Sequence, residues 1–238
     1  MKVRRNFVLA AGAGIVAIAL IAVGGYVYFF SNLRSSPPSL ALSANPTASA
    51  ATTSTTLAGA WTVTTGSQAR YRVKELFVGE TAKHDAVAQT TSVTGMLTVA
   101  GDATGYQASN ITVTANLTSL HSIDQVAGRD VSQRDGIVSR QLEVQQFPNA
   151  TFTAASASIA GNVTSAQVDV TVPGSLTIHG VTKNVTVIAK AQVVGGKIEI
   201  AGSVAVNMSD YGVSPPQVPF TAVDPTVAIE FDLFLTKT

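Results

Sequence analysis

Any chemistry in this chain would have to come from three histidines, His84, His121 and His179, and a scatter of carboxylates, because the sequence has no cysteine. A thiolate nucleophile, a disulfide framework, an iron–sulfur cluster and thiolate-bound zinc are thereby excluded. The helical zinc motif HExxH and the nucleophile elbow GxSxG are absent, as are a Walker loop and GxGxxG. His179 falls in Thr177-Ile178-His179-Gly180-Val181, a turn between two strands, where hydrogen bonding that fixes the turn competes with a polar ligand contact. His84 beside Asp85 reads as a solvated loop pair. Arg70, Arg72 and Lys74, one residue apart, fall on one face of a strand, read as an outer face in water or as an attraction for anionic headgroups. Arg129-Asp130 reads as a surface ion pair or as the guard of a cavity mouth. The residues predict no catalytic set, no metal and no cofactor; a hydrolase would have to draw its base from the three histidines.

The elements that position these residues have a period of two. Ile111, Val113, Ala115 and Leu117 alternate with Thr112, Thr114 and Asn116; Val168, Val170 and Val172 alternate with Asp169 and Thr171; Val227, Ile229, Phe231, Leu233 and Leu235 share one parity. One face of each run is apolar and the other wet. Similar runs are 70–75, 90–99, 150–159, 176–178, 185–193 and 198–208. Turn signals separate them at Gly101-Asp102, Ala160-Gly161-Asn162, Pro173-Gly174, Gly195-Gly196 and Asp224-Pro225. About eight strands joined by short turns predict a meander closed into a barrel, which removes exposed edges. The charged stretch Ser122–Gln146, ended by Phe147-Pro148, predicts one or two short helices outside the barrel or across one end. Periodicity leaves open whether such a barrel is packed solid, as a structural or adhesion module would be, or hollow around a small ligand. The six N-x-S/T triplets fall partly within strands and read as a product of composition.

Charge is sparse at 12% and balanced, 15 basic against 14 acidic residues, which disfavours a nucleic-acid partner. From Phe7 to Phe30 there are 24 uncharged residues, with Lys2, Arg4 and Arg5 ahead and Arg34 behind. As a helix this run would be roughly 36 Å long, enough to cross a hydrocarbon core of about 30 Å. It exceeds the apolar region of a cleaved signal peptide, about 7–15 residues. The expectation is a single transmembrane signal anchor in 1–34, with the N-terminus cytoplasmic and the rest outside the cell membrane; a cleaved signal exports the same domain. Ser35–Ala60 holds 21 Ser, Thr, Ala or Pro residues in 26 and reads as a linker. Residues 61–238 carry 11 basic and 14 acidic residues, 11 − 14 = −3, and form the expected domain.

Four segments then suggest kinship. Trp61-Thr62-Val63 with Gly66–Val73 is one, and Val93-Thr94-Gly95 with Ile111, Val113 and Leu117–Leu120 the second. Arg129-Asp130, Leu142 and Phe147-Pro148-Asn149-Ala150-Thr151-Phe152 form the third; the fourth is the run GSLTIHGVTKNVTV from Gly174 to Val187. In this order the chain resembles the YceI-like proteins, a lipocalin-like group that binds polyisoprenoid lipids. It departs from many members at Ser67-Gln68-Ala69, where they carry a histidine, and in its retained anchor. The resemblance implies an all-β, eight-stranded antiparallel lipocalin-like barrel with a short helical insertion, holding an isoprenoid-type lipid near the membrane that supplies it. By strand parity the inward, lipid-facing set is Tyr71, Val73, Val113, Leu117, Phe152, Val170, Ile178, Val187, Ile200, Phe231 and Leu233, with Arg129 and His179 as possible polar contacts.

Overall fold

Alternating β-branched and polar residues produce long antiparallel strands here, and their pairing is set by which face is apolar. The computed structural model describes residues 18–24, 34–44, 56–102, 105–160, 163 and 166–238. The strands are β1 (Arg34–Ser35), β2 (Gly59–Val63), β3 (Gln68–Phe77), β4 (His84–Thr90), β5 (Val93–Asp102), β6 (Gly105–Asn116), β7 (His121–Ser122) and β8 (Gln125–Val126). After a helix at Gln133–Gln141 come β9 (Asn149–Ile159), β10 (Val168–Ile178), β11 (Val181–Val194), β12 (Lys197–Asn207) and β13 (Thr221–Lys237).

Eight of these close a ring in the order β2-β5-β6-β9-β10-β11-β12-β13, because β13 pairs with β12 on one edge and with β2 on the other. The 17 residues of β13 outrun the short β2, and the rest of that edge, Thr221–Asp232, pairs with β3. Strand β3 in turn carries β4, and β4 carries the two residues of β7. At the end where β5, β9 and β10 meet the hairpin turns, the ring is filled by its own side chains around Trp61, with Val99, Tyr106, Val168, Val170, Ile198, Leu233 and Leu235. Trp61 is 1% exposed, and its indole N–H donates to the Leu57 carbonyl at 2.8 Å. At the other end the wall continues into β3 and β4, and residues 117–148 with the helix lie across it.

The turn at His179-Gly180 joins β10 to β11 with both residues left-handed, φ 51° and 73°, as a two-residue hairpin of this kind requires. Two other expected turns are not turns. Strand β10 runs straight through Pro173-Gly174; β9 meets it only at Ser175–Thr177, so the missing proline N–H costs no bond on that side. Gly174 is needed because a Cβ there would stand 2.5 Å from the ring of Phe152. Asp224-Pro225 lies inside β13 as the irregularity between Val223 and Val227. His84, expected in a loop, instead opens strand β4.

The anchor expected over residues 7–30 falls largely outside the described residues. Its portion 18–24 is helical and exposed, and no helix among the described residues is long and apolar enough to cross a membrane. Part of the expected linker is ordered. Arg34–Ser35 pairs with Gln125–Val126, and the chain then crosses the outside of the barrel. Ser36 donates to the Asp85 carbonyl, Arg72 to that of Pro37 and Arg70 to that of Pro38. The Leu40 amide then donates to Glu230, and the Ser43 amide and hydroxyl both donate to Glu199. This strap is why Arg70 and Arg72, although on the outer face, are not simply solvated, and why Glu199 and Glu230 are buried.

Two consequences are measurable. Gly174→Val should overpack the wall against Phe152 and lower stability by about 1–3 kcal/mol, read as a lower urea midpoint. Beside the strap, burial and then the charge of Glu199 push the Asp232 carboxyl up to about 6. A carboxyl raised on folding stabilises below its ordinary range and loses that contribution as pH rises through about 6. Asp232→Asn should therefore raise the urea midpoint at pH 8 and leave it nearly unchanged at pH 4.

Candidate functional site

Under the insertion the barrel is hollow. A cavity of about 520 Å³ lies between β3, the helix and the inner face of β12 and β13. Tyr71, Val73 and Phe77 of β3 form one continuous wall with their ladder neighbours Val227 and Ile229 of β13 and Val206 of β12; Leu117 and Ile178 also line the space, and Ile137, Val138 and Leu142 roof it. The size falls within the range of small-molecule pockets, about 300–1,000 Å³.

Of the residues expected to face inward, Tyr71, Val73, Leu117 and Ile178 line this cavity. Val170 and Leu233 are buried in the filled end, and Val113, Phe152, Ile200 and Phe231 pack against it. Val187 is buried on the same face of β11 as Ala189 and Ala191. Parity thus identifies the inner surface, while the empty space occupies one end of it. The roof residues Ile137, Val138 and Leu142 were not expected there, since an irregular charged segment carries no period to read.

Polar atoms in the wall are few and informative. The hydroxyls of Tyr71, Tyr211 and Thr221 all belong to residues lining the cavity, are buried, and have no hydrogen-bond partner among the described residues. Burial also raises the Tyr71 phenol well above the usual range. Buried hydroxyls are normally satisfied, so three in one chamber mark it as a place for a guest with some polar character.

The two proposed polar contacts have different settings. Arg129 is exposed at the rim, lines the cavity, and places its guanidinium 4.2 Å from the ring centre of Phe77, a cation–π contact. Its neighbour Asp130 accepts from the amide and hydroxyl of Ser132 rather than pairing with Arg129; those bonds hold its carboxyl below the usual range. His179 fixes its turn: Nδ1 lies 3.2 Å from the Tyr211 carbonyl and the ring stands edge-on to Phe147. It does not line the cavity.

A buried charged cluster, read in the sequence as a solvated His84–Asp85 loop pair, fastens the insertion to the barrel. His84 Nε2 lies 2.7 Å from Asp124, while Asp85 faces out to Arg72 and Lys74. Arg134 of the helix donates to Asp124 at 2.8 Å and to Glu75 at 2.6 Å, and the Val87 amide caps Asp124 at 3.0 Å. Burial opposes the Asp124 charge, but the bonds from His84, Arg134 and Val87 outweigh it and hold the carboxyl at about 2. Burial keeps the Glu75 carboxyl raised despite Arg134. The donor atoms of Glu75, His84 and Asp124 lie within 4.8 Å of one another, the spacing of a metal cradle. Arg134, paired to both carboxylates, already supplies the compensating charge. The missed signal was parity: if Arg70, Arg72 and Lys74 point out, Glu75 points in.

Residues 43–235 match the description "YceI-like domain". The chain belongs to this family. The match begins at Ser43, within the strap and well before Trp61. Among solved structures, the polyisoprenoid-binding domain from Saccharophagus degradans, implicated in plant cell wall breakdown, is 14% identical, with 75% of this chain and 98% of that one covered at a TM-score of 0.50. Burkholderia cenocepacia BcnA is 19% identical, covering 69% and 95%, TM-score 0.46. Campylobacter jejuni YCEI protein is 17% identical, covering 66% and 92%, TM-score 0.42. No curated protein matches by sequence. The YceI-like barrel is therefore the fold of this chain, and its ligand has to be argued from the cavity.

The cluster makes its own test. Arg134→Met would leave two buried carboxylates without their cation and should cost about 3–5 kcal/mol in urea unfolding at neutral pH. A carboxyl lowered on folding stabilises above its ordinary range, so the Asp124 contribution should persist at neutral pH and fade as pH falls from about 4 toward about 2. Asp124→Asn should flatten that acid limb.

Proposed function

We propose that this YceI-like protein binds and carries an isoprenoid-type lipid, part of whose chain occupies the cavity under the insertion. The observation that carries this reading is the apolar chamber itself, which a barrel serving as a packed structural module would fill. Each methylene moved from water into it contributes about 0.8 kcal/mol, so a segment of an oily chain suffices for firm binding. The filled end around Trp61 limits how much enters, and a long tail must extend through the mouth. The orphan hydroxyls of Tyr71, Tyr211 and Thr221 favour an amphiphile over a pure hydrocarbon. That one solved relative is described as polyisoprenoid-binding supports the same class.

Catalysis is not part of this proposal. His84 is closed off against Asp124, and His179 serves its turn. We further propose that the uncharged run 7–30 tethers the chain to the cell membrane with the barrel on the outer side; its length and the three cations ahead of it support this.

Organic extraction of the purified full chain followed by mass spectrometry should recover a lipid of this class, and the emptied protein should bind added polyprenol. Leu117→Trp should fill the chamber; excluding three methylenes would weaken binding roughly fifty-fold. Absence of co-purified lipid together with no polyprenol binding would refute the proposal.

A further inference from the structure

The rim of the cavity and the point where the strap begins are the same place. Arg34 pairs with Val126, which bridges to Arg129, and the side chain of Arg34 forms an ion pair with Glu80. Residues 128–131 on one side and Phe220 on the other line the cavity. The Val78 amide donates to the Phe220 carbonyl at 3.0 Å, which sets these two apolar side chains together on the rim. Both are bare to solvent, Val78 at 70% and Phe220 at 52% exposure. Most of the other large exposed apolar side chains lie elsewhere, in residues 18–23 or on the barrel wall, such as Met96 and Ile188.

Chain length then decides what faces this rim. Only residues 31–33 separate Arg34 from the uncharged run that ends at residue 30, a stretch of chain that spans about 15 Å at most. Past the rim the strap runs away from it, across β4, β3, β13 and β12, to Ser43. Had the strap run the other way, the far hairpin at Gly195-Gly196 would sit next to the run instead.

From this we infer that the cavity mouth faces the lipid bilayer, with Val78 and Phe220 dipping into its surface, so that a lipid passes between membrane and chamber without crossing water. The occupant of the apolar rim is the bilayer into which residues 7–30 insert, and the inference rests on the tethered-carrier reading above. Arg129, exposed and stacked on Phe77, stands where a lipid phosphate would pass.

Because the chain has no cysteine, Phe220→Cys and Lys197→Cys each give one labelling site in the full chain, at the rim and at the far hairpin. In phosphatidylcholine/phosphatidylglycerol vesicles carrying nitroxide-labelled lipid, a fluorophore at 220 should be quenched several-fold more than one at 197. Val78→Asp, which alters an exposed rim side chain outside the cavity lining, should bind polyprenol added from solution as the parent does, yet extract it from vesicles several-fold more slowly. Equal quenching at the two positions, or unchanged extraction by Val78→Asp, overturns the inference while leaving polyprenol binding intact. Loss of vesicle association by the parent chain also overturns it. Failure of the parent to bind polyprenol from solution overturns the carrier reading instead.

Discussion

Strand β13 forms ladders along both edges, and on one of them it changes partner from β2 to β3 part-way along. That change decides the rest of the molecule. Where β13 meets β2, the ring is short of residues on the inside, and side chains from all eight strands reach one another around Trp61. Where β13 meets β3, the wall continues into β4 and β7, the circumference grows, and inward side chains no longer touch across it. The Asp224-Pro225 irregularity lies on the β3 stretch of β13, where added twist and bend suit a widening wall. A barrel of this kind is solid at one end and roomy at the other without any residue being set aside to keep the room open.

Room alone would collapse or flood. The insertion prevents both, and its helix, which buries none of its residues, is held by charge, with Val126 and Val144 buried on either side of it. Arg134 reaches down to Glu75 and Asp124, and Asp135 accepts from the amide and hydroxyl of Ser122. A roof fixed by a few strong polar contacts at its edge can present apolar side chains such as Ile137 and Val138 downward without filling the space beneath. Buried ion pairs seldom add much stability over apolar substitutes, but they do specify one position for the element that carries them.

Strand parity made most of this legible. Of the eleven residues chosen by alternation, Tyr71, Val73, Leu117 and Ile178 line the cavity, and Val113, Phe152, Val170, Ile200, Phe231 and Leu233 belong to or pack against the filled end. The empty volume could not be read that way, because vacancy depends on how far apart facing walls stand, and parity is silent on distance. The roof was unreadable for a related reason: Ile137, Val138 and Leu142 are spaced without regular period. Pro173-Gly174 misled because a proline looks like a stop wherever it stands, and only the missing neighbour on the β9 side makes it harmless. His84 is misleading in the sequence because Asp85 stands beside it, whereas adjacent residues of a strand face opposite ways and its partner Asp124 lies 40 positions on.

The strap has an implication for how the domain is delimited. Sequence composition would cut the chain near Trp61, yet the segment with Pro37, Pro38 and Ser43 answers the polar groups of Arg70, Arg72, Glu230 and Glu199 on the outer wall. A fragment excised at Trp61 would strip those groups of their backbone partners and lay a charged furrow open across four strands. Residues 34–43 are therefore part of how the outer wall is packed, and low-complexity sequence serves here as a fitted girdle.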